Sequence, residues 1–393
     1  MILRALAATG SIVVMAAASV CFLKWAPLPF AWIAFIWGAA AFAAMPRLAG
    51  WMRTLLSTLG AIAIALGAAE AWFAYSLPHE VKRELSPPLN QVDPVLGWAP
   101  RASQVVHAKA SVDGRTLYDV RYSIDATGHR ISPPDRGKNV QGCVYFFVDS
   151  YTFGEGVDDS DSLPYRLGML TQGRYRIINF AAPAYGAEHM LAILERGELS
   201  RSSPCEPTHI IYLALAHHIL RAVGKTSFSE RGPHYQLRAN GEVAYLGTPA
   251  SAPAQQSVSR SWWVRELEYQ STKSWIWHAL ALRTAAPTDA DLDLYFAIVR
   301  KAFGLAAARW PSAQRHAISW DILDEFVGRD RFHHGMATVD AQVHFIDSIV
   351  PGYTQNLLEH SLDPLDVHPD ARTYLRVAQY LAERVVTAGS AAQ

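Results

Sequence analysis

The sequence predicts an α/β domain, a mostly parallel sheet with helices on both faces, preceded by a small β-rich section and three membrane-spanning helices. Three observations predict it. Residues 1–76 carry only Arg4, Lys24, Arg47, Arg53 and Glu70 as charges. Residues 105–131 alternate polar and apolar with the period of strands, and from Gly142 onward short continuous apolar runs alternate with stretches of helical period. A chain of 393 residues has room for one large core with such additions. Its formal net charge of zero offers no electrostatic basis for a nucleic-acid partner.

The membrane section comes first. Uncharged stretches run from Ala5 to Leu23, from Trp25 to Arg47 and from Thr54 up to Glu70, each near the roughly 20 residues that cross a bilayer as helix. Three in succession argue against a cleaved signal peptide. Trp25, Trp51, Trp72 and Tyr75 lie at the predicted ends, where amphipathic rings settle among headgroups. Glu70, in the last two turns of the third stretch, is expected to reach interfacial water. With Arg4, Arg47 and Arg53 inside, an odd number of spans carries everything after about Ser76 to the outer face. The expected location is a bacterial inner membrane, crossed several times, with the soluble domain in the periplasm.

Residues 77–92, SLPHEVKRELSPPLNQ, are proline-rich and polar and read as a linker. Residues 93–140 read as a β-rich lead-in, in which runs such as TLYDVRYSI are broken by the turn signals VDGR and DATGH. Residues 141–393 read as the α/β domain. Its runs VYFFV, RIINFA, HIIYLAL and HAISWDI are continuous rather than alternating, so they predict strands buried on both faces. Residues 255–310, rich in Trp, Leu and Ala at helical spacing, read as a helical insertion between the third and fourth strands. Packing against the sheet is its expected role, with capping of the site as the alternative. Cys143 and Cys205 each enter a predicted parallel strand at the same end. A disulfide between them and a pair of buried thiols are both open.

Ligands of open α/β sheets bind beyond the carboxyl ends of the strands. There the first strand leads into VDSYTFGEGV, which sets Ser150 just past the apolar run, with Gly154 and Gly156 permitting a tight turn. A serine nucleophile needs a base, and the base needs a carboxylate to fix its tautomer. DPLDVHPDARTYL, near the carboxyl end, supplies both as His368 and Asp366, with Asp363 as the reserve carboxylate.

These strings resemble the conserved blocks of the SGNH/GDSL hydrolases. VDSYTFGEGV is similar to block I, DVHPDA to the terminal Asp/His block, and NFAAPAYGAEHM to block II, in which a glycine amide serves the oxyanion hole; Gly186 is the match. DPVLGWAPR and YSIDATGHRISP resemble the β-rich lead-in of membrane-anchored, exopolysaccharide-associated members. The resemblance implies a flavodoxin-like sheet and a serine ester hydrolase or O-acyltransferase working through an acyl-serine on acetyl groups of an envelope polysaccharide. Ser150 would be nucleophile, His368 base and Asp366 its orienter. Two departures stand out. Val148 replaces the glycine before the block I aspartate, and LALAHHILRA lacks the block III asparagine. His217 falls at that position and could donate to the oxyanion with Ser150 and Gly186; His218 is the alternative. The competing reading is a glycan-binding or assembly subunit that keeps the fold without the chemistry. A membrane acyl-donor transporter is a further expected partner in either case. No cofactor is expected, and no metal, because the pairs His217–His218 and His333–His334 lack zinc-site spacing.

Overall fold

The computed structural model describes residues 28–44, 50–76, 81–197, 205–226, 228–248, 274–277, 287–320 and 328–386, with Pro46 and scattered positions before residue 22. The chain divides into two compact units, Met1–His79 with Gln255–Ala285, and Glu80–Ala254 with Ala286–Gln393.

The first unit packs the helices Pro29–Ala44 and Trp51–Ser76 against each other on small residues. A Cβ added to Gly60 would lie 3.1 Å from the Ala41 Cβ, and one on Gly67 would lie 3.1 Å from the Ala31 carbonyl oxygen. Small residues of this kind let membrane helices approach closely. The expectation of three spans is corrected to one: among the described residues only Trp51–Ser76 is long and apolar enough to cross a bilayer. Pro29–Ala44 has 16 residues, its first turn fixed by Pro29; at 1.5 Å per residue it reaches about 24 Å, short of a core of roughly 30 Å. The first stretch falls largely outside the described residues. Glu70 is buried rather than wet. Its carboxylate accepts from the Trp275 and Ile276 N–H groups at 2.7 and 3.2 Å and from the Ser274 hydroxyl. Those residues are one described part of the expected insertion, and they belong to this unit.

The second unit opens with β1 (Lys82–Ser86), β2 (Asn90–Asp93), β3 (Gly97–Pro100), β4 (Gln104–Val112) and β5 (Arg115–Ile124). Strands β1, β4 and β5 form an antiparallel sheet in that order, and β2 and β3 form a hairpin. The stretch expected to be a tether therefore contains a strand. KRELS is exposed at every position, so no apolar alternation announced it, and its strand character comes from backbone pairing with β4.

Next come β6 (Gly142–Phe147), β7 (Tyr175–Asn179), β8 (Pro207–Ala214), the hairpin β9 (His234–Leu237) with β10 (Val243–Gly247), β11 (Gln314–Ser319) and β12 (Gln342–Phe345); the hairpin β13 (Ser361–Asp363) with β14 (Asp366–Pro369) closes the series. The main sheet is five-stranded and parallel, in the order β12-β11-β8-β6-β7. This is the flavodoxin-like order, and its reversal lies between β6 and β8, where such folds bind ligands. One face is covered by the helices Ala187–Arg196, His217–Ala222, Asp289–Arg309 and Arg329–Met336, the other by Leu163–Leu170 and Ala371–Tyr380. Asp289–Arg309 buries Leu292, Tyr295, Ile298, Val299, Ala302 and Phe303, so this part of the expected insertion packs into the core. Cys143 and Cys205 are joined as a disulfide, with their Cα atoms 5.9 Å apart.

Candidate active site

The nucleophile side is built where β6 stops. Val148 turns the chain with φ +118°, a conformation that favours glycine and strains a β-branched residue. Asp149 then caps the short helix Ser150–Phe153, its carboxylate accepting from the Tyr151 N–H at 3.0 Å. The second Asp149 oxygen lies 3.0 Å from His218 Nε2 and 3.2 Å from an Arg221 nitrogen. Burial works to raise the Asp149 pKa, but His218 and Arg221 outweigh it and hold the carboxyl at about 2. The cap stays ionised and fixes the turn that presents Ser150.

The base arrives from the far end of the sequence on the β13–β14 hairpin. His368 Nε2 lies 2.8 Å from Ser150 Oγ. On the other side of the ring, Nδ1 meets Asp366 Oδ1 at 2.5 Å. Burial depresses the His368 pKa, and Glu155 and then Asp366 raise it above the ordinary histidine value, with Arg83 opposing them. Burial likewise pushes Asp366 up, while its bond to His368 and the Arg83 charge bring its pKa below the usual carboxylate range. The Tyr151 hydroxyl donates to the Val367 carbonyl at 2.8 Å and ties the hairpin to the serine helix. Ser150, His368 and Asp366 thus come together as expected from sequence. Asp363 does not join them: its carboxylate is held by Arg115 at 2.5 and 2.9 Å.

The oxyanion donors are arranged differently from expectation. Gly186 caps the helix Ala187–Arg196, and its N–H donates to His189 Nδ1 at 3.1 Å; it is spent inside the helix cap. In the same loop Ala184 holds φ +70°. Among the described residues, the N–H groups of Ala184 and Ser150 meet no protein acceptor. His218 is excluded as a donor to substrate because it is buried between Asp149 and the Tyr212 hydroxyl. His217 opens the next helix with an exposed side chain. Desolvation, then the charges of Arg221 and His218, holds its pKa at about 4 although the ring reaches solvent.

Sequence reasoning missed four residues. Arg83, from β1, donates through Nη2 to Asp366 Oδ2 and through Nε to Glu155 Oε1, both at 2.9 Å. Glu155 itself stands with Oε2 3.9 Å from His368 Nε2. Arg130 is buried against the Tyr122 ring and donates to the carbonyls of Phe153 at 2.9 Å, Gly154 at 2.5 Å and Val157 at 2.7 Å. Asn179, at the end of β7, donates to the Thr152 carbonyl at 3.3 Å and accepts from the Ala181 N–H at 3.1 Å. For Glu155, the flanking pair of glycines was the available signal; for the others the sequence held none. Among the described residues no group of histidine, cysteine and acidic side chains could hold a metal.

No protein-family model and no curated protein matches the chain. Among solved structures it is similar to a G-D-S-L family protein of Desulfitobacterium hafniense described as lipolytic, at 12% identity and a TM-score of 0.32, over 62% of this chain and 98% of that one. It is similar also to an acetyl xylan esterase of the rumen bacterium Butyrivibrio proteoclasticus, at 11% identity and a TM-score of 0.35, over 79% of this chain and 88% of that one. A third is a carbohydrate esterase whose active site is described as having divergent catalytic and non-catalytic binding functions, at 10% identity and a TM-score of 0.35, over 79% of this chain and 98% of that one. Likeness at this level carries no argument by itself. The strand order of the main sheet is flavodoxin-like, and the serine and aspartate–histidine blocks whose sequences resemble those of SGNH/GDSL hydrolases meet at the carboxyl ends of its strands.

Proposed function

We propose that this chain is a membrane-attached serine esterase or O-acyltransferase. The observation that carries the reading is the run of two contacts through one imidazole, Ser150 Oγ to Nε2 at 2.8 Å and Nδ1 to Asp366 at 2.5 Å. That is the reach a general base needs for a hydroxyl nucleophile. Ser150 attacks an ester carbonyl while His368 takes its proton, and Asp366 supports the imidazolium. The developing oxyanion is held by the N–H groups of Ser150 and Ala184, with His217 as third donor in place of the absent asparagine; one such donor is worth roughly 100-fold to 1,000-fold in turnover. Water or a sugar hydroxyl then takes the acyl group. Acetyl groups of an envelope or exported polysaccharide are the proposed substrate.

The proposed setting is the outer side of an inner membrane, with the acyl donor supplied by a membrane partner. A bilayer-length apolar helix that precedes the domain in sequence and the Cys143–Cys205 disulfide both support it, since such bonds persist in oxidising compartments. A fluorophosphonate probe tests the chemistry: labelling of the full chain is expected, and Ser150→Ala should abolish it. Folded protein that takes no label would favour the glycan-binding reading instead.

A further inference from the structure

We propose that Glu155 positions the acceptor, water or a vicinal diol, that attacks the acyl-serine in the second half of the reaction; this deepens the serine mechanism above and rests on it. The oxygen Oε2 of Glu155 is 3.9 Å from His368 Nε2. That is too long for a direct hydrogen bond, and it is the spacing that one water oxygen bridges by donating to both. In the resting enzyme Nε2 faces Ser150 Oγ. Once Oγ carries the acyl group, Nε2 must face the incoming hydroxyl, and Glu155 is the carboxylate beside that position.

The carboxylate is placed there by construction. Glu155 sits between Gly154 at φ +89° and Gly156 at φ +84°, a backbone that folds it back over the serine helix. A Cβ on Gly154 would come 2.7 Å from the Ser162 Cβ, so the turn is closed to other residues. The Glu155 N–H donates to the Ser150 carbonyl at 2.9 Å. The Arg130 guanidinium holds the carbonyls on both sides of the turn, and Arg83 fixes Oε1 at 2.9 Å. Arg83 also holds Asp366, so it is a positioning residue that sets both carboxylates against one imidazole.

In the step itself, the acceptor oxygen bonds to the acyl carbon as its proton passes to His368 Nε2. The bond from that carbon to Ser150 Oγ then breaks, and the proton returns from His368 to Oγ. Water as acceptor releases the free acid; an alcohol leaves with a new ester. Glu155 accepts a hydrogen bond from the O–H that is not transferred, which is the second O–H of water or the neighbouring hydroxyl of a diol. The geometry therefore favours water and vicinal diols over simple alcohols.

The experiment uses the full chain in detergent with p-nitrophenyl acetate, comparing parent and Glu155→Gln. Fluorophosphonate labelling of Ser150, compared between parent and Glu155→Gln at a pH well above the histidine range so that His368 is neutral in both, reports on nucleophile and base apart from the lost carboxylate charge. Deacylation is expected to slow about 10-fold to 100-fold, the loss of one hydrogen bond to a charged group. Acetylated Ser150 should then accumulate in quenched samples read by intact mass. The rate at which glycerol captures the acetyl group should fall more than that for ethanol. Steady-state turnover of Glu155→Gln within about twofold of the parent, or slowed turnover without accumulation of acetyl-serine, overturns the assignment. A parent chain that fails to label overturns the serine mechanism and this inference together.

Discussion

One candidate catalytic histidine and a row of three others in the second unit are in opposite states. At the carboxyl ends of the strands, His368 is hemmed by Asp366 and Glu155, and its pKa lies above the ordinary value. His209, His316 and His344 occupy the third positions of β8, β11 and β12, stepped by two residues from strand to strand so that they run diagonally across the sheet. They form a ladder, His209 Nδ1 to His316 Nε2 at 3.4 Å, His316 Nδ1 to His344 Nε2 at 3.1 Å, and His344 Nδ1 to the Tyr380 hydroxyl at 2.9 Å. No carboxylate bonds to the ladder among the described residues, and burial lowers His209 to about 4 and His316 to about 3. Burial by itself makes an imidazole inert. At His368 the neighbouring carboxylates outweigh burial and make the ring a base, whereas at His218 burial outweighs Asp149.

The comparison breaks most sharply at Asp366. Asp366→Asn removes the charge that fixes the tautomer of His368 and leaves only Glu155 to raise its pKa. The site would then resemble the ladder, with a neutral ring in the wrong tautomer. Ester turnover is expected to fall by about 10,000-fold, the scale such a change has in a serine triad. The acid limb of the rate profile should move to lower pH. A loss below about tenfold in kcat would mean that Asp366 does not orient the base.

The ladder offers the converse test, on stability. Either tautomer, taken by all three rings, satisfies the whole chain, because the Tyr380 hydroxyl can donate to or accept from His344 Nδ1. Desolvation keeps the rings neutral, and at His316 the neighbouring His209, His344 and Arg315 add to it. The unfolded chain has no such restriction and takes protons near pH 6.5. Between about pH 6.5 and 4 the unfolded state therefore binds more protons, and stability is complete above this window and lost as pH falls through it. From pH 6.5 to 5 the loss is about 2 kcal/mol for each of His209 and His316. Thermal unfolding of the full chain in detergent at the two pH values reads it. A midpoint unchanged or higher at pH 5 would show that the ladder can be protonated in place.

Which of these features could be read in advance follows from how local each one is. Four of the five strands of the main sheet were legible because continuous apolar runs such as VYFFV have one structural use in a soluble domain; β12, the half-exposed edge strand QVHF, carries no such run. Ser150, His368 and Asp366 were legible because each lies within a few residues of an element's end and carries chemistry that few structural roles require. Arg83 was not, because β1 is exposed throughout and its partner Asp366 is 283 residues away. His217 and His218 are neighbours in sequence, and only the rotation of their helix decides that His218 faces Asp149 while His217 faces solvent. Gly186 was misassigned for a similar reason: the cap formed by His189, three residues on, claims the amide that was expected to serve the oxyanion. The ladder depends on the register of β8, β11 and β12 and was invisible before the strands were paired.

The smallest effect concerns Val148, which stands where the block I pattern has glycine. Its φ of +118° and its nearly complete burial act against each other. The side chain contributes to the core, and its Cβ strains the turn that delivers Asp149 and Ser150. Truncation separates the two contributions. Val148→Ala loses the methyl groups and keeps the Cβ, so it gives up packing and retains the strain. Val148→Gly loses the Cβ as well and frees the backbone. The usual order of stability is therefore expected to invert here, with the glycine variant more stable than the alanine variant by about 1 kcal/mol. Unfolding midpoints of the two variants, measured side by side, check it. An alanine variant as stable as the glycine one would mean that the turn bears no strain at this position. Val148 would then differ from glycine only in the packing it adds behind the nucleophile.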